Sequence, residues 1–492
     1  MPGRLLAGAD SVSLPVGVWL TALGLVAVEL AASGRYGFHR DELYFIVAGS
    51  HPAFGYVDQP PLAPLIARAA TIVLGTTPTA VRIVPALAGA AVVVLAAMTA
   101  REIGGGRFAQ ILSAVAVACA PVVEAAAHLA NTTVYDLLAW AAIVLLVLRA
   151  INREQPAAWL GAGLAAGLGL ENKDLPLLLV LGVTVGLVLT GRWRALLNRW
   201  ALGGVAIALA LWAPNLAWQA THGWPQLAMS RALHAEHSTA GDYSSVLPAE
   251  LLYLGLASVP LAWLGLRRLW RETELRFLAV AAIVVLAFVA IEVPGRPYYA
   301  DGLLPVVFAA GAVAVEQRER RLPWLVAPLA LAAAMLVLVL PILPLSTLGQ
   351  MSFMHKLNYD QGETVGWPQL TATVDGVLAR LPPRERRSAS VFTSNYGEAS
   401  ALVVYGARLG IPAPLSGHNN YWLWGPGSQS DRVVIAVGSA GDLRPFFARC
   451  VRSAVFRTPD GVNDDENGTV ISTCTGPRAA WPMIWPRLRH YD

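Results

Sequence analysis

The sequence predicts a polytopic α-helical membrane protein of about eleven transmembrane helices, with a C-terminal extracytoplasmic α/β domain. Three observations predict it. The chain has 492 residues, 55% of them hydrophobic and only 14% charged, where a soluble chain carries about a quarter charged residues. Uncharged apolar runs of roughly fifteen to twenty residues recur along its first two thirds, near the length that crosses a hydrocarbon core. Beyond residue 345 the sequence turns polar, with Gly/Asn/Asp turns between short apolar runs.

The expected spans are 14–32, 80–100, 108–124, 133–149, 157–171, 174–190, 201–217, 249–266, 277–292, 302–315 and 324–343. The first run is long and contains Glu29, which favours a retained span. The small residues Ala31-Ala32-Ser33 leave a cleaved leader as the alternative. Arginine placement orients the spans. One set of short connections holds Arg4, Arg101, Arg107, Arg149, Arg153, Arg192, Arg194, Arg199, the arginines of 267–276 and those of 318–321. The opposite, longer loops hold fewer cations: Arg35, Arg40, Arg68, Arg82, Lys173, Arg231 and Arg296. The first set is therefore cytoplasmic, the N-terminus inside and the tail outside. This gives a transmembrane domain over 1–344 and an extracytoplasmic domain over 345–492, in a multi-pass cell-membrane protein. The net charge of +4 is small, and no basic tract interleaved with aromatics points to nucleic acid.

In the tail, 389–393, 401–405 and 433–437 are short strand or helix candidates, and 371–381 has helical spacing before Pro382-Pro383. Of three cysteines, Cys119 lies in an apolar run. Cys450 and Cys474 share the outer domain, as a disulfide or as two free thiols; sequence supplies no geometry to decide.

The outer face collects the chemistry-bearing residues. His39-Arg40-Asp41-Glu42-Leu43-Tyr44 follows the first span, and Tyr56-Val57-Asp58-Gln59-Pro60-Pro61-Leu62 comes soon after. An acid there can act as a general base towards an attacking hydroxyl; the alternative is a solvated loop of charged pairs. Pro60 and Pro61 fix the backbone beside Asp58. Asp136 lies inside the fourth span, where an ionisable group is costly and by default a functional candidate. His128, Asn131 and Tyr135 fall at helical spacing, and with Glu124 line one outward face; interhelical hydrogen bonding is the alternative. Glu124 with His128 also suits a divalent ion, although the spacing matches no metal signature. Lys173 and Arg296, at outer span ends, suit a phosphate or plain interfacial snorkelling. Tyr298 and Tyr299 suit an aromatic belt or stacking on a sugar face.

Nucleotide and hydrolase fingerprints are absent: no Gly-x-x-x-x-Gly-Lys-Ser/Thr, no Gly-x-Ser-x-Gly, no His-Glu-x-x-His. An outward-facing transferase must then take its activated group from a lipid carrier.

The Asp41-Glu42 loop followed by Val57-Asp58-Gln59-Pro60-Pro61 resembles the GT-C type integral-membrane glycosyltransferases, notably bacterial members akin to protein O-mannosyltransferase and the aminoarabinose transferase of lipid A. Further matching stretches are Ala130-Asn131-Thr132 with Tyr135-Asp136, Gly167 through Lys173, Trp218 with His222-Gly223-Trp224-Pro225, and Gly295-Arg296-Pro297-Tyr298-Tyr299. In the tail, Asn395-Tyr396-Gly397-Glu398 and Ser416 through Trp422 look like those of an actinobacterial-style subgroup. The turn Glu171-Asn172-Lys173-Asp174 departs from the family by its acidity. The resemblance implies an outward cavity for a polyprenyl-phosphate sugar donor and a glycan, lipid or protein acceptor. It implies Asp41 as base with Glu42 beside it as a catalytic carboxylate, inversion at the sugar, and Lys173, Arg296 and Arg40 on the phosphate. Glu42, Asp58 and Glu124 would orient sugar or acceptor or hold an ion, and His39, His128, Asn131, Asp136, Tyr298 and Tyr299 would complete the site. It implies no cofactor beyond that optional divalent ion. Two alternatives differ in class: a transporter of lipid-linked glycan, and a membrane-anchored glycan-binding protein whose tail is the active part.

Overall fold

The structure, a computed structural model, describes residues 13–236, 239–292, 296–428, 430 and 432–491. Arg4 and the Val293-Pro294-Gly295 stretch lie outside the described residues. Each apolar run read from the sequence is helical. Helix α1 (Val16–Ala32) leads to α2 (Arg40–Ser50), α3 (Leu62–Leu74) and α4 (Pro78–Glu102). The next run is broken at Pro121 into α5 (Arg107–Ala118) and α6 (Pro121–His128), bent by 62°. There follow α7 (Thr133–Asn152), α8 (Ala158–Leu170), α9 (Leu175–Leu189), α10 (Arg199–Thr221) and α11 (Pro225–Glu236). Helix α12 (Ala240–Leu254) meets α13 (Val259–Arg271) across a sharp bend at Gly255, whose φ is +77°. Helices α14 (Arg276–Glu292), α15 (Leu304–Glu316) and α16 (Leu322–Val339) complete the set.

Among the described residues, five helices are long and apolar enough to cross a membrane, or seven if each bent pair is one span; α1, α3, α8 and α9 are shorter apolar helices. Large apolar side chains stand exposed at helical spacing on several of them, such as Val16, Leu20 and Leu23 on α1 and Leu322, Val326 and Leu329 on α16. Such faces suit lipid. The chain is a polytopic helical membrane protein with a small C-terminal sheet. Its helices approach closely through small residues, as membrane helices do: a Cβ on Gly163 of α8 would run into the Gly204 carbonyl of α10, and one on Gly265 of α13 into the Val307 carbonyl of α15.

Helices α2 and α3 occupy what reads as a loop. Composition hid the first: Arg40, Asp41 and Glu42 open it, yet Glu42 through Gly49 are buried. His39 caps it, its Nδ1 accepting the Asp41 N–H at 3.2 Å, while Glu42 Oε2 accepts the His39 N–H at 2.8 Å. This reciprocal box fixes where the helix begins.

At one end of the bundle, contacts join the arginine-bearing connections. Glu102 takes Arg153 at 2.5 Å and Arg149 at 3.5 Å, Glu316 accepts the Gly106 and Ala109 N–H groups, and Arg268 reaches the Ile103 carbonyl. At the other end Tyr36 donates to the Leu343 carbonyl, Leu62 N–H to the Glu171 carbonyl, and Asn172 to the Thr132 carbonyl.

The tail folds as a five-stranded sheet in the order β2-β1-β3-β5-β4, with β1 Ala389–Thr393, β2 Leu415–Ser416, β3 Val433–Val437, β4 Phe447–Val455 and β5 Val470–Pro477. β1 pairs parallel with β2 and β3; β5 runs antiparallel to β3 and β4. The runs 389–393 and 433–437 are thus strands, fully buried at the sheet centre, as uninterrupted apolar strands should be. The run 401–405 lies in the helix Tyr396–Gly406, and 371–381 largely in the helix Trp367–Ala379. Cys450 and Cys474 face each other across β4 and β5 and form a disulfide. The helix Tyr396–Gly406 packs directly on α2.

Candidate functional site

The box that starts α2 aims Asp41 outward from its first turn. Its side chain is 36% exposed, while neighbouring Glu42 is fully buried. The two acids therefore have different work. Glu42 accepts from the His39 N–H, from the Ala130 N–H at 3.0 Å, and from the Arg82 guanidinium at 2.9 and 2.7 Å. Arg82 on α4 also donates to the Ser33 and Gly37 carbonyls. A carboxylate so committed fastens α1, α2, α4 and the start of α7 together; a proton transfer there would break this joint.

Asp41 carries a single close partner from the tail: the Tyr396 hydroxyl donates to Oδ1 at 2.7 Å. Oδ2 lies 3.8 Å from His39 Nδ1. His39 Nε2 points at Asp360 Oδ1, 3.5 Å away, and Arg40 lies within 3.5 Å of Asp465 and 3.8 Å of Glu363. Arg40 also stands 5.1 Å from the Tyr359 ring centre and 5.8 Å from that of Tyr396, within cation–π range. Burial pushes the Glu363 carboxyl up to about 7, against the pull of Arg40.

Asp58 joins the same group. The Tyr44 hydroxyl of α2 donates to it at 3.1 Å, and the Tyr44 and Tyr396 rings pack 4.8 Å apart. An Asp41–Tyr396–Tyr44–Asp58 chain results. Burial raises the Asp58 carboxyl to about 7, opposed by hydrogen bonds and reinforced by the nearby Asp41 charge.

A second group gathers residues far apart in sequence. Lys173 Nζ lies 4.2 Å over the Tyr299 ring and 5.2 Å from the Tyr298 centre. The Arg296 guanidinium interacts with both phenols. The Lys173 turn is held against the Asp58 loop through the Leu62–Glu171 bond and against the start of α7 through Asn172. Asp136, in the first turn of α7, accepts the Trp140 indole N–H at 3.0 Å. Burial raises the Glu171 carboxyl to about 7. Around this end, Glu124 Oε2, Tyr135 OH, Asn172 Oδ1 and Gln59 Nε2 are buried without a hydrogen-bond partner among the described residues.

One expectation is corrected outright. His128, Asn131 and Tyr135 do not share a helix face, because α6 ends at His128 and α7 begins at Thr133. Asn131 instead accepts the Thr133 and Val134 N–H groups at 2.8 and 3.3 Å, opening α7. The divalent-ion option at His128 also fails on local grounds. Its Nδ1 meets Glu29 at 3.0 Å and its Nε2 sits 3.4 Å from the Arg82 guanidinium, which repels a cation. Among the described residues, no three His, Cys, Asp or Glu side chains converge as metal ligands. Between His128 and Asp360 lies a void of about 10 Å³, room for about one water.

Sequence reasoning passed over Arg82, Asp360, Glu363 and Asp465. Arg82 had a signal, being a lone cation in an apolar helix. The tail acids had none, since nothing local marks which face of the tail meets the membrane. Tyr396 stood in a motif of the tail that the sequence tied to no catalytic residue; it reaches Asp41.

A family model described as dolichyl-phosphate-mannose-protein mannosyltransferase matches residues 58–218. No curated protein matches the chain in sequence. In fold the chain is similar to ArnT from Cupriavidus metallidurans bound to undecaprenyl phosphate, with TM-score 0.61 and 16% identity over 92% of this chain and 97% of that one. The apo state of ArnT gives TM-score 0.61 and 16% identity over 93% and 97%. At that identity the likeness is one of fold. Both findings agree with the resemblance read from the motifs: the sequence match runs from Asp58 through most of α10, and the fold is similar to that of ArnT over nearly the whole chain.

Proposed function

We propose that the chain is a glycosyltransferase that moves a sugar from a polyprenyl-phosphate donor to an acceptor hydroxyl on the outer face of the cell membrane, with inversion. The observation that carries this is Asp41: a half-exposed carboxylate, on a fold shared with an undecaprenyl-phosphate-binding protein, with one oxygen held by Tyr396. The acceptor O–H attacks the anomeric carbon as the C1–O bond to phosphate breaks. The proton passes to Asp41 Oδ2, and polyprenyl phosphate leaves with the bonding pair. Lys173 and Arg296 meet the charge growing on the phosphate, and Tyr298 and Tyr299 hold those cations in place. Arg40, His39 and Asp58 shape the surroundings of Asp41; Glu124 and Asp136 face the sugar side. Glu42 is a positioning residue, acting through Arg82 and the α2 start.

Eleven crossings with the N-terminus inside fit the arginine-bearing connections at one end. A disulfide in the tail fits an oxidising, extracytoplasmic side. A boundary near 345 then separates the membrane domain from a tail that closes over the donor site through Tyr396, Asp360, Glu363 and Asp465.

The test supplies purified protein in detergent with polyprenyl-phosphate mannose, arabinose and glucose in turn. Release of polyprenyl phosphate from one donor is expected. No release from any donor, with donor lipid instead moved across proteoliposomes, would overturn the reading.

A further inference from the structure

A cleft of about 350 Å³ opens at the start of the loop that leads to Asp58, lined by His51, Pro52, Ala53, Trp218, His222, Asn420, Leu423 and Trp424. Its volume is in the range of small-molecule sites, ~300–1,000 Å³. Three parts of the chain build it. Asn215 and Gln219 of α10 donate to the Phe54 and Tyr56 carbonyls, and Asn420 of the tail accepts the Val57 N–H at 2.7 Å. Trp218 lies so close over Gly55 that a Cβ there would meet its ring. The walls are two matched stacks: His51 on Trp424, 4.5 Å between ring centres, and His222 on Trp218, 4.1 Å.

The two imidazoles are set alike. His51 Nδ1 faces the Val47 carbonyl at 3.1 Å and His222 Nδ1 the Trp218 carbonyl at 2.8 Å. A carbonyl only accepts, so Nδ1 carries a proton in each ring. Broad indole faces beside imidazoles and an amide suit a molecule with apolar C–H faces and hydroxyl edges. No Lys, Arg, Asp or Glu lines the cleft, so a phosphate, a nucleotide or an acidic sugar would find no counter-charge.

We propose that this cleft is a binding subsite for a neutral saccharide, and that the acceptor is a glycan held there one or more units from the receiving hydroxyl. The word acceptor rests on the proposed function; the saccharide site does not. Its position supports the link, because the loop that walls the cleft ends in Asp58, and Tyr421, next to Asn420, packs 6.4 Å from Tyr44.

The test uses full-length protein carrying Asp41→Asn, so that nothing is transferred, with neutral pentose and hexose pentasaccharides as probes in saturation-transfer NMR. Trp424→Ala should weaken binding at least about tenfold, while Trp424→Phe, which keeps a platform, should stay within about threefold. Binding unchanged in Trp424→Ala, or no binding of any probe at 10 mM (on the order of the weakest useful affinity), overturns the site. Polyprenyl-phosphate release is read on the same proteins with Asp41 intact. Its absence would strike the proposed function and leave the binding result standing.

Discussion

The two ends of the helical bundle carry similar residue types and use them in opposite ways. At the arginine end, charges close on one another or on a helix end: Glu102 is shared by Arg149 and Arg153, Arg268 pairs with Glu272 one turn on, and Glu316 caps the start of α5. Glu102 is buried, while its two arginines are partly solvated. At the other end contacts reach across hundreds of residues in sequence, as Tyr396 does to Asp41, and Glu124 Oε2 and Asn172 Oδ1 are buried without a partner among the described residues. On the proposed topology and function, one end orients the chain in the membrane and the other is arranged around the donor it holds.

Substitutions can break that contrast. The largest effect on stability is expected at the acid end: Arg82→Met should destabilise the protein by about 3–5 kcal/mol, because it strands the buried Glu42. Thermal unfolding in detergent checks it, and a change under ~1 kcal/mol would put Glu42 on a par with Glu102. Next, Lys173→Ala and Arg296→Ala should each raise the donor KM by about tenfold to a hundredfold, the worth of one charge-assisted contact, with expression unchanged. Unaltered donor dependence in both would remove them from the phosphate. Tyr396→Phe should lower kcat by about tenfold through loss of one hydrogen bond to a carboxylate, with Tm held.

The smallest effect is a pH signature. Asp58 is raised from 3.8 to about 7 in the folded protein, so between those values the folded state binds more protons than the unfolded. Stability from this group is full below about 4 and falls as pH rises through about 7. Asp58→Asn should therefore raise Tm at pH 8 and leave it unchanged near pH 4. Equal shifts at both pH values would remove the burial account of Asp58.

Much of this was legible in the sequence, and the limits have physical causes. Runs of apolar residues and arginine-bearing loops are local, so helices α4, α7, α10 and α16 could be placed directly. Helix α2 was not, because its polar first turn lowers its hydropathy although tertiary burial covers it. The Pro121 and Gly255 bends went unread, since a proline or glycine in an apolar run marks a break only when packing enforces one. Asp41, Asp58, Lys173 and Arg296 could be proposed because charge beside a span is costly and therefore informative. Their grouping, and the roles of Arg82 and Tyr396, depend on contacts such as Tyr396–Asp41, 355 positions apart, which no local pattern encodes.

The most direct test measures polyprenyl-phosphate release for Asp41→Asn beside Arg153→Gln, one substitution at each end. The account predicts a loss of about 10²–10⁴ for Asp41→Asn, the range of a general base, with Tm unchanged and Arg153→Gln within about threefold of wild type. Near-wild-type release by Asp41→Asn would contradict it.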